Sequence, residues 1–94
     1  MENERTVRLA AYDRGQILHY DEVELGGVEY KLRHFVDELD RRATSVRITL
    51  YDGERKVTAW NTPVDDYFLE WIENLIEELL DERLFDTVER SYDN

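Results

Sequence analysis

The stretch from Ser45 to Tyr51, with the dipeptide that follows it, constrains this chain more than any other feature. Val46, Ile48 and Leu50 alternate with polar residues, which is the two-residue period of a half-buried strand. Asp52-Gly53 comes next, and both residues tolerate the positive φ that a tight hairpin turn demands. Glu54 to Trp60 is the returning strand. A hairpin with one apolar face has to bury that face, and the rest of the chain must supply the cover.

The first half of the chain carries a similar unit. Val7, Leu9 and Ala11 alternate within Thr6 to Tyr12, and Asp13-Arg14-Gly15 supplies a turn. A second strand is expected over Gln16 to Leu25, with a bend inside it, and Gly26-Gly27 ends it. Arg8-Leu9-Ala10-Ala11-Tyr12-Asp13 echoes Arg47-Ile48-Thr49-Leu50-Tyr51-Asp52 at an offset of 39 residues. Duplication and chance similarity of two hairpins both explain the echo at this level.

Two helices are expected. Val28, Leu32, Phe35, Val36 and Leu39 fall within an arc of roughly 100°, which makes one apolar helix face. Arg41-Arg42 would then lie in the last turn, where cations suit the helix dipole. A short strand over Val28 to Tyr30, with the helix starting near Lys31, is the alternative. In the second half, Thr62 is expected to cap a helix, with Pro63 at its first position and Asp65 as the acid of a capping box. That helix should reach about Leu80, with a further turn around Leu84, Phe85 and Val88 and a frayed end over 91–94. The expected fold is a single α+β domain of order ββαββα, an antiparallel sheet of about four strands in two hairpins with two helices. The 94 residues do not suffice for a second core.

Charge is the outlying property. The net charge is −11, and residues 57–94 hold 11 acids against only Arg83 and Arg90. On a helical projection Asp66, Glu70, Glu73, Glu77 and Asp81 form one stripe at spacings of four, three, four and four. Like charges so spaced destabilise a helix by about a few tenths of a kcal/mol per pair, and the helix itself places no cation among them. The stripe is either a solvated face or an electrostatic surface that docks on a basic partner. A high-salt cytoplasm is a further source of acidity, since arginine outnumbers lysine ten to two. The near-neutral first 56 residues argue against it.

The apolar side of the same helix spans roughly 220° of arc, where packing on one sheet needs little more than 100°. Tyr67, Leu69, Ile76 and Leu80 lie on its flanks and are candidates for a partner or homodimer contact. Tyr12, Tyr51 and Trp60 on the hairpins are the aromatic candidates for an interface, because such side chains bury large area at small entropic cost.

Little in the chain points to catalysis. There is no cysteine, and His19 and His34 are the two histidines. Ser45 and Ser91 do not stand on an activated elbow, and no Gly-x-Ser-x-Gly occurs. His34 and Glu38 share a helix face, but a zinc site needs a third ligand. No catalytic, metal or cofactor residue is therefore assigned. Strong acidity disfavours direct nucleic-acid binding, and no apolar run is long enough to span a membrane. The start of the chain has no apolar leader, so the expected compartment is the cytoplasm. The expectation is a non-enzymatic protein-binding module. Its leading form is a stoichiometric inhibitor, anti-defence (anti-CRISPR-like) or nucleic-acid-mimicking, that docks on a basic nucleic-acid-binding protein. An antitoxin or immunity protein, or a structural homodimer, is the alternative.

Overall fold

The computed structural model describes residues 4–81. Two hairpins form one antiparallel sheet: β1 (Arg5–Asp13) with β2 (Gln16–Glu24), and β3 (Ser45–Asp52) with β4 (Arg55–Pro63). The strand order is β2-β1-β3-β4, so the hairpins meet through their first strands. A 3-10 turn over Leu25–Gly27 leads into α1 (Val28–Asp37), and α2 (Phe68–Leu80) follows β4. The ββαββα order and the four-stranded sheet agree with the sequence reading. The helical turn expected at Leu84, Phe85 and Val88 and the tail at 91–94 lie outside the described residues.

Both turns take up the backbone that their residues allow. Arg14 and Gly15 have φ of 50° and 90°, and Gly53 has φ of 67°. The first turn is tied down further, because the Arg14 amide donates to Thr44 Oγ1 at 3.0 Å. The bend expected in β2 is a bulge: Ala11 pairs with His19 but Tyr12 with Ile17, which leaves Leu18 as the extra residue. The second hairpin repeats it, since Leu50 pairs with Thr58 and Tyr51 with Lys56.

Each of these partners is displaced by the same 39 residues as the sequence echo. Leu9 and Ile48, themselves 39 apart, pair with each other at the centre of the sheet. The pairing of the two hairpins is thus symmetric about an approximate two-fold axis that crosses the sheet at this pair. The sequence echo is matched by a shared bulge position and by the register of the central pair.

The core lies between one sheet face and the helices. Val7, Leu9 and Ala11 from β1 and Val46, Ile48 and Leu50 from β3 are all buried. Val28, Leu32 and Phe35 of α1 and Phe68, Ile72, Leu75, Ile76 and Leu79 of α2 cover them. Burial of this many apolar side chains, at about 1.5–3 kcal/mol each, is the main source of stability.

Two helix boundaries differ from expectation. β4 runs on through Thr62 and Pro63, which pair with Val46 and Ser45, and the Val64 amide donates to the Thr44 carbonyl at 3.0 Å. Thr62 is buried, so it does not cap a helix. Its β-branched side chain suits the strand, and an edge strand such as β4 tolerates Pro63. Asp65 does take part in the start of α2. Its carboxylate accepts from the Tyr67 amide at 2.9 Å and its carbonyl from the Phe68 amide at 3.1 Å. In the first half, α1 closes at Asp37, before Arg41-Arg42. Arg42 instead pairs with Asp40 at 3.0 Å and holds that carboxyl below its usual value through side-chain and backbone hydrogen bonds.

Candidate functional site

Asp66, Glu70, Glu73 and Glu77 are exposed along the outer side of α2 and the turn before it, and Asp81 is half-buried at its end. Of the five acids expected on one helix face, Glu70, Glu73 and Glu77 lie within α2, while Asp66 precedes it and Asp81 follows it. One of them is held from elsewhere. Arg33, on α1, places both terminal guanidinium nitrogens on the Glu73 carboxylate, with Nη2 to Oε2 at 3.1 Å. Arg33 also reaches Glu29 at 3.5 Å, one helical turn away. The hydrogen bond from Arg33 draws the Glu73 carboxyl below its ordinary value. Glu70 and Glu77 flank this pair, and neither has an ion pair among the described residues.

The sequence does not show this cation, because Arg33 sits forty residues before Glu73. The signal available was position: Arg33 lies next to Leu32 on the edge of the apolar stripe of α1, where it can reach a neighbouring helix. The two helices leave a shallow groove of about 200 Å³ between them, lined by Arg33, Val36, Asp37, Leu69, Ile72 and Glu73.

The flank residues divide. Tyr67, Leu69 and Leu80 are 73%, 63% and 50% exposed, so they remain available beside the acidic stripe. Ile76 is 3% exposed and belongs to the core. The 220° arc is wide because α2 packs against α1 as well as the sheet, and Ile76 is covered by the chain itself.

The aromatic candidates also divide. Tyr12 and Tyr51 stand on the sheet face away from the helices, in the alternation opposite to Leu9 and Leu50. Trp60 does not join them. It pairs with Ile48 and so shares the helix side, where it packs on the core and forms a small cleft with Trp71, Asn74, Leu75 and Glu78. The bulge between Leu50 and Tyr51 shifts the β4 register by one residue, and counting from the turn therefore assigns Trp60 to the wrong face.

The outward sheet face was only partly legible from the sequence. Read across β2, β1, β3 and β4, its rows are Glu24-Thr6-Tyr51-Lys56, Glu22-Arg8-Thr49-Ala59, Tyr20-Ala10-Arg47-Asn61 and Ile17-Tyr12-Ser45-Pro63. Arg8 joins two of these rows, paired with Glu22 at 2.8 Å and lying 4.1 Å over the Tyr51 ring. Ala10 and Thr49 form a closely covered centre, while Ile17 and Tyr20 stay exposed at the rim.

The histidines have structural neighbours. His19 stacks on Phe35 at 5.4 Å and His34 on Tyr30 at 6.3 Å. Among the described residues, no three acids or histidines are grouped to hold a metal, and no helix is long and apolar enough to cross a membrane.

Comparison with protein-family models, with curated proteins and with solved structures finds no match to this chain.

Proposed function

We propose that this chain is a non-enzymatic protein-binding module, a stoichiometric inhibitor of the anti-defence or nucleic-acid-mimicking kind. Its α2 stripe docks on the basic site of a nucleic-acid-binding protein. The observation that carries this reading is the outer face of α2, where Glu70 and Glu77 are exposed without an ion pair among the described residues. Glu70, Glu73 and Glu77 rise along the helix by about 4.5 and 6 Å. That is the same order as the rise of about 3.4 Å of duplex axis per phosphate of one nucleic-acid strand.

The surroundings of these acids add to the reading. Arg33 occupies both oxygens of Glu73 and offsets its charge, so Glu70 and Glu77 are the stripe carboxylates within α2 left to meet a basic partner. Leu69 and Leu80 lie exposed beside the charges and would supply apolar contact next to the electrostatic patch. The acids would speed encounter and the apolar contacts would slow release. An antitoxin or immunity protein would use the same surface on a different basic partner.

The test is affinity capture from a host lysate, at low and at high salt, with the native chain and with Glu70→Lys/Glu77→Lys. This variant spares Glu73 and so leaves the Arg33 contact intact. The expected result is a basic nucleic-acid-binding protein held by the native chain, weakened by salt, lost with the variant and displaced by its own nucleic acid. Identical capture by both chains would remove the stripe from the account.

A further inference from the structure

The two tryptophans of the chain, Trp60 and Trp71, come together at one cleft. Trp60 lies on the helix side of the edge strand β4, opposite Ile48, and Trp71 is in the first turn of α2. Both are half-buried against the core, and with Asn74, Leu75 and Glu78 they line a space of about 70 Å³. Asn74 and Glu78 are exposed and one helical turn apart, and Trp71 lies one turn before Asn74. The aromatic and polar walls from α2 therefore share one side of the helix.

Size and charge narrow what the cleft takes. Small-molecule sites begin at roughly 300 Å³, so this one suits the head of a single side chain. Glu78 has no ion pair among the described residues, and no cation lines the cleft. The groove on the other side of α2 differs in this respect, because there the chain supplies its own Arg33 to Glu73. An indole face attracts a cation, and a carboxylate beside it accepts charge-assisted hydrogen bonds. Arginine suits both walls, since its flat guanidinium stacks on an aromatic ring while its edge N–H groups donate to a carboxylate. Lysine brings a compact, strongly hydrated charge with no flat face. An apolar side chain would take water from Glu78 and return no hydrogen bond.

We propose that the cleft holds an arginine side chain of a basic partner, with the guanidinium against Trp60 and Trp71 and its N–H groups donated to Glu78. The source of that arginine, a basic partner, rests on the proposed function. The cleft borders the α2 stripe, because Glu70 stands one turn before Asn74. A partner drawn in by Glu70 and Glu77 thus has the cleft within reach. Tryptophan and arginine are the residue types that most often dominate binding energy, so the cleft slows release where the stripe speeds encounter.

Because the only two tryptophans both line the cleft, their indole N–H signals report on it specifically. The test is an NMR titration of the native chain near physiological salt with blocked Gly-Arg-Gly, and with the same peptide carrying lysine or citrulline, the neutral isostere of arginine. The expected result is saturating shifts of both indole signals with the arginine peptide, with a dissociation constant on the order of 1 mM. The lysine peptide should bind at least fivefold more weakly, and the citrulline peptide should not saturate. Glu78→Gln should weaken arginine binding at least fivefold. Glu77→Gln removes the same charge from the neighbouring position, which points away from the cleft, and should change it less than twofold.

No saturating indole shift up to about 20 mM arginine peptide would overturn the proposal. So would equal binding of the lysine or citrulline peptide, or equal losses in Glu77→Gln and Glu78→Gln. Binding that appears only in Arg83→Gln/Arg90→Gln would also overturn it, since the occupant would then be an arginine of the chain itself. The titration contains no partner protein, so the cleft can fail while capture through the stripe succeeds, and the reverse.

Discussion

Arg33 of α1 and Glu73 of α2, forty residues apart, meet through both guanidinium Nη atoms and both carboxylate oxygens and tie the two helices together across the groove between them. The contact lowers the Glu73 carboxyl. It therefore favours the folded state above the unfolded carboxyl range, and this contribution fades as pH falls through the folded value. Replacing Arg33→Gln should move the Glu73 midpoint upward in a carbon-detected NMR titration. An unchanged midpoint would mean that the contact does not persist in solution.

The stripe should respond unequally to charge reversal. Glu70→Lys/Glu77→Lys removes like-charge neighbours and should leave stability unchanged or raise it by about a few tenths of a kcal/mol. Glu73→Lys should lower stability instead, because it sets a second cation against Arg33. The exchange Arg33→Glu/Glu73→Arg should recover part of that loss. Urea denaturation of the four proteins reads the difference.

Ile76 and Leu69 separate core from surface on one helix. Ile76→Ala should cost about 2–5 kcal/mol, since it opens a cavity beneath α2. Leu69→Ala should stay within about 0.5 kcal/mol, because its side chain faces solvent. If Ile76→Ala were as mild as Leu69→Ala in thermal or urea unfolding, α2 would not be seated as described.

Glu4 carries the opposite pH sign. Its carboxyl lies above the ordinary value because of Glu24 and, more weakly, Glu22. It favours the folded state at low pH, and that contribution is lost as pH rises through the folded value. Glu24→Gln should bring the Glu4 midpoint down in the same NMR titration. A midpoint that stays put would separate the two side chains.

The fold was legible where local chemistry decided it. Alternation at Val46-Ile48-Leu50, the turn glycines Gly15 and Gly53, and the helical spacing of Val28, Leu32 and Phe35 all specify their elements without outside help. The failures share one cause, which is partners distant in the chain. Thr62-Pro63 reads as a helix start until Ser45 and Val46 offer a strand to pair with. Trp60 is parted from Tyr12 and Tyr51 because a bulge adds a residue to β4 and sets it opposite Ile48. Ile76 reads as a flank until α1 and the sheet close over it. The acidic stripe was visible as a pattern, but the cation inside it comes from another helix. The pairing of equal positions in the two halves, Leu9 with Ile48, turns a faint echo into a symmetry only once the register is known.

Docking through the outer face of α2 has its most sensitive readout in the association rate. With the basic partner obtained by capture, stopped-flow mixing should be run across a range of ionic strength for the native chain and for Glu70→Gln/Glu77→Gln. Native association should be fast and slow steeply as salt rises. The variant should start at least several-fold slower at low salt and show a shallower slope, and the two rates should converge at high salt. Equal rates with equal salt dependence would contradict docking through this face, because the carboxylates of α2 would then take no part in finding the partner.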